Sequence, residues 1–159
     1  MRTLPVAALA MALVAAGCGL LSKKHAVSIE EQAVPIGSRW NATLSTPANL
    51  SGALQVRGTA WMAPAGDNRT RVYISVANAA PGGVHPWHVH HGHCDNSGGV
   101  VGPADAYGTL RIKDDGTASA DVQIPMATPT SGDYDVNVHA SPENMGTIIA
   151  CGNLAPPSQ

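Results

Sequence analysis

Short runs of alternating apolar and polar residues recur along most of the chain. Leu54, Val56 and Gly58 alternate with Gln55 and Arg57, and Ala60-Trp61-Met62 follows. Val72, Ile74 and Val76 alternate with Tyr73 and Ser75; Leu110 and Ile112 with Arg111 and Lys113. Val122 and Ile124 alternate with Asp121 and Gln123; Val136 and Val138 with Asp135 and Asn137. A period of two sends successive side chains to opposite faces, so each run predicts a strand with one face buried. Turn-forming clusters separate the runs: Pro64-Ala65-Gly66-Asp67-Asn68, Pro81-Gly82-Gly83, Asp114-Asp115-Gly116 and Ser131-Gly132-Asp133. Evenly spaced short strands with such turns predict an all-β sandwich or barrel. No segment carries a helical period and no internal repeat is present.

The pattern begins only near Trp40. Before it, Arg2 supplies a short positive start, Leu4 to Ala16 is apolar, and Ala15-Ala16-Gly17-Cys18 places small residues before a cysteine. Those are the parts of a secretory signal, and the apolar run is too short to span a bilayer. A cysteine in that position resembles the bacterial lipobox, which implies that Cys18 becomes a lipidated N-terminus. The expected layout is a lipoprotein signal peptide over 1–17, then a lipidated N-terminus and tether with a candidate first strand over 18–48. The sandwich occupies 49–155 and a tail 156–159. Ser22-Lys23-Lys24-His25 and Glu30-Glu31-Gln32 are polar and aperiodic, so the tether would hold the domain off a membrane, and His25 reads as a solvated residue.

Composition narrows the class. The chain is 44% hydrophobic with only 13% charged residues, which excludes disorder; 17 Gly and 12 Pro suit a domain with many turns. The formal net charge is −2, and loss of Arg2 with the signal would make it −3, so there is no basic footprint for nucleic acid. There are three cysteines. If Cys18 carries lipid, Cys94 and Cys151 remain, and outside the cytoplasm such a pair closes into a disulfide. The oligomeric state is not readable from the chain.

The candidate chemistry is concentrated in one stretch. Of seven histidines, five lie in His85-Pro86-Trp87-His88-Val89-His90-His91-Gly92-His93, directly before Cys94. His88 and His90 stand two apart in an expected strand, so both rings face the same way. His139 lies in a second alternating strand, Val136-Asn137-Val138-His139-Ala140. A Cys94–Cys151 bridge would bring the chain after His93 towards the chain beyond His139, so the third imidazole could reach the first two. Imidazoles grouped in this way suit copper, zinc, iron or nickel.

These segments resemble a family. Pro81-Gly82-Gly83-Val84-His85-Pro86-Trp87-His88-Val89-His90 is similar to the Cu/Zn superoxide dismutase segment P-G-x-H-G-F-H-V-H. Val136 to Ala140, followed by Ile148-Ile149-Ala150-Cys151-Gly152, resembles that family's V-V-H-A and R-x-A-C-G, and Cys94 lies where its first disulfide cysteine falls. The resemblance covers roughly residues 49–155. It implies a Greek-key β-sandwich or flattened barrel, with one copper per domain held by His88, His90 and His139. It makes His85 structural and not a ligand.

The departures from the family shape the functional expectation. Asp95 to Asp105 is short and contains no histidine, so the bridging histidine and the zinc ligands of the family have no counterpart and zinc is not expected. His91 and His93 are extra and are candidate substitute ligands. The family's active-site arginine, a cation that would draw in an anionic substrate, corresponds to Ile148. The expectation is a copper-binding, exported, membrane-anchored lipoprotein that binds or buffers copper, with residual superoxide dismutation. An active copper-only dismutase is the alternative, so whether the protein is an enzyme stays open. A metal-free interaction module, or a chordin-like (CHRD) domain with similar H-x-H and N-V-H segments, is a second alternative.

Overall fold

The structure, a computed structural model, describes residues 34–66 and 68–158. The expected signal segment, Cys18 and His25 lie outside the described residues. Among the described residues there are nine strands: β1 (Trp40–Ser45), β2 (Arg57–Pro64), β3 (Thr70–Ala77), β4 (Val84–His93), β5 (Asn96–Val100), β6 (Thr109–Arg111), β7 (Ala118–Ile124), β8 (Tyr134–Ser141) and β9 (Asn144–Asn153). Helix is limited there to single 3-10 turns at Ile36–Ser38 and Ala104–Ala106.

All pairings are antiparallel, and the strand order is β5-β4-β8-β9-β1-β2-β3-β7. The chain crosses from β3 to β4 at the far side of the sheet, returns to place β7 beside β3, and crosses again to place β8 beside β4. β6 pairs with β4 at one end of the order, yet a short turn joins it to β7 at the other end. So short a link brings the two ends of the sheet together. The sheet therefore curls into an all-β flattened barrel. The alternation read from the sequence is the alternation of burial: β1 runs buried-exposed without a break, and β3 runs buried-intermediate. Trp40, Leu44, Met62, Ile74, Trp87 and Ile124 are among the largest side chains sealed inside.

The central strand β8 differs from expectation. Its valines pack into the core as the pattern requires, but Asp135, Asn137 and His139 on the other face are also buried, at 0%, 1% and 4% exposure. That face is closed by the segment after Cys94, which contains β5 and the 104–106 turn rather than a bare loop. β4 splits in the same way: Trp87 and Val89 enter the core, and His88 and His90 lie on the opposite face beside β8. Cys94 and Cys151 form a disulfide with Cα atoms 5.7 Å apart, which ties the end of β4 to β9. With the partners at a sequence separation of 57, the chain-entropy account gives about 4 kcal/mol of stabilisation.

Candidate metal centre

Directly opposed residues of an antiparallel pair share a face. His88 lies opposite Asn137 and His90 opposite Asp135 across β4–β8; Asn137 lies opposite Cys151 and His139 opposite Ile148 across β8–β9. One polar layer thus gathers His88, His90, Asp135, Asn137 and His139 next to the disulfide. Within it His88, His90 and His139 each offer one ring nitrogen, and these three atoms lie within 4.8 Å of one another. A metal ion could be held there. Cys94, Asp135 and Cys151 also lie close together, but the two sulfurs are bonded to each other and the group is a disulfide beside a carboxyl.

The ring orientations are fixed by carbonyls, which can only accept. His90 Nδ1–H donates to the Gly98 carbonyl at 2.9 Å, and His139 Nδ1–H donates to the Met145 carbonyl at 2.7 Å. Each bond leaves a lone pair on Nε2, and the Nε2 of His90 is buried without a partner. His88 presents Nδ1 to His139 Nε2 at 3.1 Å, while the backbone of Ala104 raises the His88 pKa, as a carbonyl accepting a ring N–H does. A proton on His88 Nδ1 makes this contact a hydrogen bond to His139 Nε2, and a cation between the two nitrogens would take that proton's place. A separation of 3.1 Å is about that of two imidazoles each ~2.0–2.1 Å from one ion. The donor set fits an imidazole-binding metal, with the outer nitrogens of His90 and His139 locked as those of metal-binding histidines usually are.

Burial dominates the proton chemistry. It lowers the His88 pKa to about 4, with His139 and His90 adding to the shift and Ala104 opposing it. It also lowers His139, against the Met145 bond. Both rings are neutral bases at pH 7, the form a metal needs. Burial pushes the Asp135 carboxyl up, against the Ser97 hydroxyl, His90, His93 and Asn137.

The remaining histidines are placed elsewhere. His85 directs Nδ1 at the carbonyls of His139 and Ala140, at 3.0 and 2.9 Å, and so braces the strand that carries the third ring. His91 is exposed on the other face, against the Tyr134 ring. His93 is exposed beyond a register shift in β4, with Nε2 3.5 Å from Asp133. Neither joins the three-nitrogen group. Sequence reading missed the surroundings: Ser97, Gly98, Ala104, Asp135 and Tyr107, whose ring meets His88 edge-on and whose hydroxyl donates to the Val101 carbonyl at 2.6 Å. Only Asp135 left a trace, as a polar position in an alternating run. The backbone acceptors left none.

No family model matches the chain, and no curated protein matches it. Among solved structures it is similar to the clock protein EA4, with 17% identity and a TM-score of 0.50 over 77% of this chain and 96% of that one. That likeness bears on the fold alone.

Proposed function

We propose that this protein is a copper-binding, exported lipoprotein of the Cu/Zn superoxide dismutase-like fold that binds or buffers copper. The observation that carries the reading is the convergence of three imidazole nitrogens, with the opposite ring atoms of His90 and His139 held by backbone carbonyls. Copper is preferred over zinc on the sequence resemblance, because imidazole suits both ions and the segment that would carry zinc ligands has no histidine. When bound, copper would supply one-electron redox chemistry. The chain's own part is to present the three imidazoles on one face, with the His90 and His139 tautomers set by carbonyls, and to limit water around them.

Buffering is favoured over turnover by Ile148. It stands directly across from His139, where a dismutase of the resembled family carries its arginine. An isoleucine cannot focus an anion onto the site. Copper titration of the metal-free domain decides the matter. The wild type should take one copper, and His139→Ala should bind at least tenfold more weakly. Unchanged stoichiometry and affinity in His139→Ala would remove the three-histidine site. The runner-up, a copper-only dismutase, predicts that the loaded wild type dismutes superoxide well above free copper and that Ile148→Arg raises the rate without changing affinity.

A further inference from the structure

The carbonyl that orients His90 comes from a stretch of backbone with little to aim it. β5 pairs with β4 at His90–Val100, then the register shifts, and pairing resumes at Gly92–Ser97 and His93–Asn96. Gly98 and Gly99 fall in the irregular stretch between, with no side chain to pack. Two glycines give the backbone wide freedom. The Gly98 carbonyl nevertheless lies 2.9 Å from His90 Nδ1.

The adjacent residue is anchored. Ser97 Oγ donates to Asp135 Oδ2 at 2.6 Å and accepts from Asn137 Nδ2 at 2.9 Å. Asp135 is fully buried on β8, directly across from His90. A buried carboxyl needs a strong partner, and a hydroxyl-to-carboxylate bond of this length is of the short, directional kind. We propose that Asp135, acting through Ser97, is the positioning residue that holds the Gly98 carbonyl where it fixes the His90 ring, so that Nε2 faces the other two imidazoles. The consequence for copper rests on the reading above. The consequence for the ring does not.

The test uses both. In the metal-free protein, 15N imidazole spectra should show His90 as the Nδ1–H tautomer. Ser97→Ala should turn it into a mixture, and Ser97→Thr, which keeps the hydroxyl, should restore it. Ser97 is exposed, so its removal opens no core cavity. Copper affinity should fall on the order of tenfold in Ser97→Ala and stay near wild type in Ser97→Thr. Asp135→Asn should weaken copper binding alone and add nothing further in the Ser97→Ala background. An unchanged His90 tautomer in Ser97→Ala overturns the inference. So does a full Asp135→Asn effect in that background, which would mean that the carboxyl acts on His90 directly. Failure of the wild type to bind copper would sink the copper reading and leave the tautomer result to decide the positioning role.

Discussion

His88 pairs a metal-ready geometry with an acid liability. Its pKa is lowered by burial, with His139 and His90 adding to the shift, to about 4 against 6.5 in an unfolded chain. Well above pH 6.5 the ring is neutral in both states and contributes no pH dependence. As pH falls from 6.5 towards 4 the unfolded chain takes up a proton that the folded one refuses, so stability is lost over that window. From His88 alone the drop between pH 7 and pH 5 is about 2 kcal/mol, and His139 shifts in the same direction. Asp135 works the other way, since its raised pKa lets the folded state take up a proton before the unfolded chain does as pH falls towards the normal carboxyl range. Urea unfolding of the metal-free protein should therefore give a clearly lower midpoint at pH 5 than at pH 7, and His88→Gln should shrink the difference. A pH-independent midpoint for the wild type would contradict the buried, neutral His88.

At the scale of elements, the end of β4 depends on one residue. Gly92 takes φ +104° where the β4–β5 register shifts, and a Cβ there would meet the Asn96 carbonyl. Gly92→Ala should lower stability by about 1–3 kcal/mol and shift the amide resonances of β5, as checked by thermal melting and NMR; a neutral substitution would deny that the bulge is required. The same region marks where sequence reading ran out. The strands with a hydrophobic alternation were evident, because Val72, Ile74 and Val76 can satisfy only one pattern. β5, Asn-Ser-Gly-Gly-Val, carries no such alternation and reads as a turn. β8 read as half-buried because Asp135 and Asn137 are polar, whereas β5 covers them and satisfies much of their bonding. The grouping of His88, His90 and His139 as candidate ligands was visible because a period of two and a second strand suffice to suggest it. Ser97 and the Gly98 carbonyl acquire meaning only from the fold.

For the whole molecule, the lipid-anchored reading rests on Arg2, the apolar run and Ala15-Ala16-Gly17-Cys18, outside the described residues. It predicts that the mature protein begins at a lipidated Cys18 and partitions into detergent, and that Cys18→Ser releases it into the aqueous phase. Mass spectrometry finding an intact Met1 or an unmodified Cys18 would end that reading.

The barrel is closed by its most distant parts: β1 pairs with β9, and His88 meets His139 across 51 residues. Non-local pairing of this kind cannot form until the C-terminal strands are present. A chain emerging N-terminus first displays His88 and His90 long before β8 arrives with His139, and the disulfide waits longer still for Cys151. A nascent or threaded chain thus has two of three donors and no closed cage. On the proposed copper-binding reading, loading would wait until the last two strands have joined the sheet, so the timing of folding would set where the metal enters.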